Sequence, residues 1–227
     1  MRNPFRKYLQ IRDIESESNS RLGSLSIIER RKQIPIAVID DEAFSPESNL
    51  KNNGYEINIL GDLKSIEQVS EYNIILCDLQ GVGRHLNAKN QGAYIIDEIK
   101  RNHPEKFVIA YTGGSVDNKI TELAQNSADY FIKKDADIED WRDKLDEIIL
   151  SLSDPIFVWK RQRYALVDLD VPTLDILKLE DAYIRSLESG SDRHYIEVVS
   201  DGTMNSDLRS IANSLVASGI FRILVGS

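Results

Sequence analysis

The chain has 227 residues, 41% hydrophobic and 29% charged, a balance that fits a globular protein and excludes a disordered one. No stretch approaches the ~18 apolar residues of a membrane helix. The basic start (Arg2, Arg6, Lys7) has no apolar run behind it, so no secretory signal is read and the cytoplasm is the expected location. One cysteine, Cys77, excludes an internal disulfide, and no Cys/His cluster suits zinc.

The net charge of -9 is unevenly spread: residues 1–33 carry +4, residues 34–152 carry -10 and residues 153–227 carry -3. An acidic middle repels phosphate backbones, which argues against nucleic acid as a partner. Clustered carboxylates in such a segment suit a cation instead.

Residues 1–33 read as a basic, partly helical leader. Phe5, Tyr8, Leu9 and Ile11 give a short apolar face that Ser16-Glu-Ser-Asn-Ser20 interrupts. From Ile34 short apolar runs recur: Ile34-Pro-Ile-Ala-Val-Ile39, Glu56-Ile-Asn-Ile-Leu60, Asn73-Ile-Ile-Leu-Cys77, Phe107-Val-Ile-Ala-Tyr111 and Asp129-Tyr-Phe-Ile132. Helical spacing lies between them over 63–72, 93–102 and 118–126, and Ile138–Leu152 closes the series. Near-continuous apolar strands alternating with helices predict an α/β domain over 34–152, a parallel sheet covered on both faces. Beyond it, Asp154-Pro155 starts a new helix, Thr173–Ser189 is amphipathic with Gly190 as its stop, and Asp207–Ala217 is a third helix. His194–Val199 fits strand or helix. Residues 153–227 are therefore expected to form a helical module.

Ligands of an open parallel sheet sit beyond the carboxyl ends of its strands. Here the first strand ends Asp40-Asp41-Glu42, the third ends at Asp78, the fourth at Thr112-Gly113-Gly114 and the fifth at Lys133-Lys134. Carboxylates from two strands repel unless a hard divalent cation joins them. A lysine, a hydroxyl and glycine amides opposite suit the oxygens of a phosphoryl group.

Val38-Ile-Asp-Asp-Glu42, Ile75-Leu-Cys-Asp78, Ala110-Tyr-Thr-Gly113 and Asp129-Tyr-Phe-Ile-Lys133 together resemble the motifs of the receiver domain of two-component response regulators, over about residues 34–152. The resemblance implies a doubly wound, flavodoxin-like sheet of order 2-1-3-4-5. It implies that Asp78 takes a phosphoryl group from a phosphohistidine donor on a sensor histidine kinase or phosphotransfer protein, with Mg²⁺ as cofactor. Asp41 would hold Mg²⁺ directly, Asp40 through water, with Asp78 and the backbone carbonyl of Gln80 as further ligands. Lys133 would pair with the phosphoryl group, Thr112 would hydrogen-bond it, and Tyr130 would turn inward as the switch residue. Only self-phosphotransfer and autodephosphorylation are expected, not enzymatic turnover of a separate substrate.

Two departures stand out. The loop from Asp78 to Gly92 is enlarged and lacks the family's proline, so Arg84, His85 or Lys89 could reach the acceptor. Lys134 stands where the family has a proline after its lysine. Gly81-Val-Gly83 lacks the rest of a dinucleotide fingerprint, and His194 has no triad partners. The expected output is a helical module acting on a protein effector or a second copy as a homodimer. The last helix carries only Arg209, which argues against a DNA reader. The competing reading is a degenerate receiver serving as a constitutive protein-interaction module. A small Mg²⁺-dependent phosphatase is disfavoured, because Gln80 stands where its general acid would sit.

Overall fold

The computed structural model describes residues 10–14, 22–113, 118–200 and 206–226. The apolar face expected at Phe5, Tyr8 and Leu9 lies outside them. The chain divides into two compact units, residues 27–149, and residues 1–26 with 150–227.

In the first unit, β1 (Ile36–Ile39), β2 (Ile57–Ile59), β3 (Ile74–Asp78), β4 (Phe107–Thr112) and β5 (Tyr130–Lys133) form a parallel sheet in the order β2-β1-β3-β4-β5. That order is the doubly wound, flavodoxin-like one. β1 and β3 are buried along their whole length, as strands covered on both faces must be. Register aligns Ile39, Cys77, Ala110 and Phe131 in one row across β1, β3, β4 and β5. Asp78, Tyr111 and Ile132 form the next row, and side chains of successive rows leave opposite faces of the sheet.

The first row packs beneath α4 (Gln91–Asn102) and α5 (Asn118–Ser127), through Ile95, Ile96, Ile99, Ile120 and Ala124. Each fully buried isoleucine there contributes about 1.5–3 kcal/mol. On the second row Tyr111 meets Trp141 of α6 (Ile138–Leu152) nearly edge-on at 5.6 Å between ring centroids, with Phe44 at 5.5 Å. α1 (Ile27–Gln33), expected within the leader, belongs to this unit. Its Arg31 donates twice to Asp146 of α6, at 2.8 and 2.6 Å, and the Tyr55 hydroxyl donates to the same carboxylate at 2.7 Å. α2 (Glu47–Asn52) follows β1, while the helix expected over 63–72 is only a 3-10 turn at Ile66–Val69.

The second unit holds α7 (Pro155–Asp168), α8 (Thr173–Ser189), α9 (Arg193–Val199), α10 (Ser206–Ala217) and α11 (Ile220–Val225). Asp154 caps α7 by accepting the Ile156 N–H, and Gly190 ends α8 at φ +66°. His194–Val199 is helical. Trp159, Tyr183, Tyr195 and Phe221 are fully buried, with ring centroids 4.8 to 6.1 Å apart; Tyr183 stacks on Phe221 and meets Tyr195 edge-on. The Gln162 amide nitrogen donates to the Tyr195 hydroxyl at 2.6 Å, while its Oε1 is buried with no partner among the described residues. Among the described residues no helix is long and apolar enough to cross a membrane.

Candidate functional site

The carboxyl ends of β1 and β3, with the loops beyond β3, β4 and β5, enclose an open cavity of about 550 Å³. Asp41, Asp78, Gln80 and Arg84 line it, as does Lys134.

Asp78 is the last residue of β3 and only 5% exposed. Its Oδ2 accepts from Lys134 Nζ at 2.9 Å, and its Oδ1 accepts the Gln80 N–H at 3.2 Å. Asp40, buried just beyond β1, accepts the Glu42 N–H on Oδ1 at 2.9 Å. Its Oδ2 accepts the Tyr111 hydroxyl at 2.9 Å and Lys134 Nζ, also at 2.9 Å. One ammonium thus joins two carboxylates that would otherwise repel. Burial pulls the Lys134 pKa down, but hydrogen bonds and charge from Asp40 and Asp78 outweigh it and hold it above the ordinary lysine value. Burial, then the Asp40 charge, keeps the Tyr111 hydroxyl far above the usual phenol range, so it stays a donor.

Asp41 is exposed, and among the described residues its carboxylate takes no hydrogen bond. It lies directly on Gly81, where a Cβ would stand 1.9 Å from Asp41 Oδ1. Gly81 has φ +85°, so glycine is required there on two counts. The enlarged loop forms a short helix, α3 (Arg84–Asn87), before Gln91, whose side-chain oxygen accepts the Gly81 N–H at 3.0 Å. Gly92 lets α4 abut the strand end, since a Cβ there would come within 1.9 Å of the Asp78 carbonyl oxygen.

The structure brings Asp41, Asp78, Gln80 and Arg84 to one cavity, with Asp40 buried behind Lys134. Thr112 ends β4, its hydroxyl buried and unpartnered among the described residues. Three expectations need correction. The lysine facing Asp78 is Lys134, not Lys133, which is exposed at the end of β5. Strand period explains this: Lys134 shares the parity of Ile132, whose row holds Asp78 and Tyr111, whereas Lys133 pairs with Thr112 in the row beyond. The same one-residue shift moves the aromatic. Phe131 packs on the core beneath α4 and α5, while Tyr130 turns outward, its hydroxyl donating to Glu147 at 3.1 Å beneath the Lys144 ammonium. His85 does not face the acceptor; its Nδ1 lies 3.4 Å from Asp62 Oδ2, and Asp62 Oδ1 takes the Gly83 N–H.

Sequence reasoning missed Tyr111, Gln91 and Lys134. Paired lysines after paired aromatics were the available signal for the last. Among the described residues no three Asp, Glu, His or Cys side chains are grouped to hold a metal ion. Mg²⁺, however, keeps several waters and binds through one or two carboxylates. The unpartnered Asp41 carboxylate, Asp78 Oδ1 and Gln80 on one cavity fit that donor set.

No family model matches the chain, and no curated protein matches it either. Solved structures similar to it include response-regulator receiver domains, and the likeness covers about half of the chain. A receiver domain protein from Methanospirillum hungatei JF-1 is 20% identical with a TM-score of 0.41, covering 51% of this chain and 93% of its own. The receiver domain of NtrX from Brucella abortus is 24% identical with a TM-score of 0.41, covering 51% and 97%. The response regulator TrrA from Thermotoga maritima, solved in complex with Mg²⁺-BeF, is 20% identical with a TM-score of 0.38, covering 51% and 98%.

Proposed function

We propose that the α/β unit is a receiver in a two-component system, taking a phosphoryl group on Asp78 to control protein contacts of the helical unit. The observation that carries this is the Lys134 ammonium, 2.9 Å from both Asp78 and Asp40, at the floor of an open cavity.

An Asp78 carboxylate oxygen forms the new P–O bond as the P–N bond to a donor imidazole breaks. The imidazole leaves with that electron pair and is reprotonated by solvent. Lys134 then moves from the Asp78 carboxylate to a phosphoryl oxygen, steadied by Asp40, which keeps its Tyr111 and Glu42 partners. The unpartnered Thr112 hydroxyl donates to another oxygen, and Arg84 approaches from the loop. Asp41, Asp78 and the Gln80 carbonyl would hold Mg²⁺, which when bound neutralises phosphoryl oxygens. The donor is a histidine kinase or phosphotransfer protein.

A second reading, a constitutive interaction module, is favoured by one fact: Lys134 already balances both carboxylates without a phosphoryl group. Calorimetry with Mg²⁺ and beryllofluoride separates the two. Binding that disappears in Asp78→Ala supports the receiver; no binding by the native chain supports the constitutive module.

A further inference from the structure

We infer that Arg84 is a second phosphoryl-binding cation of the cavity, and that Asp62 positions it. The inference rests on the receiver reading and assigns the enlarged loop a part in it.

Charge on the cavity calls for a second cation. Asp41, Glu42 and Asp78 line it, with Asp40 buried behind, and among the described residues only Lys134 and Arg84 bring positive charge to its lining. Lys134 is committed to Asp40 and Asp78, at 2.9 Å from each. A phosphoryl group on Asp78 would replace one negative charge by about two, an increase that Lys134 alone does not match. Arg84 is exposed, and its guanidinium has no hydrogen-bond or ion-pair partner among the described residues, although three carboxylates share its cavity. A planar fork of donors that meets no carboxylate in the unmodified cavity suits the oxygens of a phosphoryl group that enters it.

The loop that carries Arg84 is anchored on both sides of it. Val82 is fully buried in the core cluster that includes Ile95 and Ile96. Asp62, beyond β2, grips the two residues that flank Arg84: its Oδ1 accepts the Gly83 N–H at 2.6 Å, and its Oδ2 lies 3.4 Å from His85 Nδ1. The Gly83 carbonyl then accepts the Leu86 and Asn87 N–H groups at 3.0 and 2.8 Å, which starts α3. The backbone at Arg84 is thus fixed beside the cavity while its side chain stays free to meet a phosphoryl oxygen. Fixing it in advance lowers the ordering cost of that contact. Asp62 does not line the cavity, so it acts on the phosphoryl group only through Arg84.

Calorimetric titration of the full chain with beryllofluoride in saturating Mg²⁺ tests this. Arg84→Ala should weaken binding of the mimic by about tenfold, the loss of one charge-assisted contact. Arg84→Lys should recover part of it, an ammonium being a point charge without the fork. Lys89→Ala removes an exposed loop cation outside the cavity lining and should stay within about twofold. Asp62→Ala should also weaken binding, and Asp62→Ala with Arg84→Ala should bind no more weakly than Arg84→Ala alone, as two residues acting in one contact do. Mg²⁺ alone should bind Arg84→Ala as tightly as the native chain, which a collapsed loop would not allow. Equal mimic affinity in the native chain and Arg84→Ala, loss of Mg²⁺ together with the mimic, or additive losses at Asp62 and Arg84 would each overturn the inference and leave Asp78 as acceptor. A native chain that binds no mimic would overturn the receiver reading itself, and the inference with it.

Discussion

The hydroxyl of Tyr111 donates to Asp40 at 2.9 Å, to the same carboxylate oxygen that accepts Lys134. A fully buried core tyrosine, packed edge-on to Trp141 and tilted against Phe44, thereby reaches the edge of the acidic cavity. Tyr111→Phe keeps the ring and removes one donor to a buried carboxylate, a loss of about 1.5–3 kcal/mol. Urea denaturation should show a lower midpoint with an unchanged slope; an unchanged midpoint would mean that the bond contributes nothing net.

The two adjacent lysines should behave differently. Lys134→Ala strips Asp78 and Asp40 of their shared cation and should slow phosphoryl uptake by about a hundredfold. Lys133→Ala removes an exposed side chain and should leave uptake within about twofold, as surface substitutions away from a site usually do. Rates from a small phosphodonor would decide it, and equal effects would contradict the register assigned to β5.

Among the described residues the Thr112 hydroxyl is buried without a partner, a polar group that costs stability where it stands. Thr112→Val should therefore stabilise the α/β unit, by up to about 1 kcal/mol, while lowering phosphoryl uptake. Stability and uptake falling together would show that the hydroxyl is bonded in the folded protein.

His103 provides a pH test away from the cavity. Burial, reinforced by the Lys106 charge, lowers its pKa from 6.5 to about 4. The unfolded chain then binds the proton first, so this contribution to stability is full above about pH 6.5 and is lost as pH falls through 4. Urea midpoints at pH 7 and pH 4.5 should differ more for the native chain than for His103→Gln. An equal difference in both proteins would remove His103 as a cause.

The sheet was legible because each strand is a short apolar run that only burial on both faces explains, and the ends of β1, β3 and β4 announced Asp40, Asp41, Asp78 and Thr112. The order of the strands came from resemblance, since periodicity says nothing about which strand neighbours which. The lysine was misplaced because Tyr130-Phe131 and Lys133-Lys134 offer two registers one residue apart, and only pairing with β4 selects between them. Tyr111 was unreadable for a related reason: its partner Asp40 is distant in sequence, and the contact forms only across the sheet edge. α1 was hidden among the leader's charges, its anchor being Asp146 far along the chain. His194–Val199 has a pattern that both periods accommodate, and Tyr195 packing on Phe221 decides for helix.

Intact mass of the full chain after incubation with Mg²⁺ and a small phosphodonor tests the receiver reading most directly. One added phosphoryl group is expected on the native chain, absent from Asp78→Ala and retained in Lys133→Ala. An unmodified native chain, or an adduct that persists in Asp78→Ala, would contradict Asp78 as the phosphoryl acceptor.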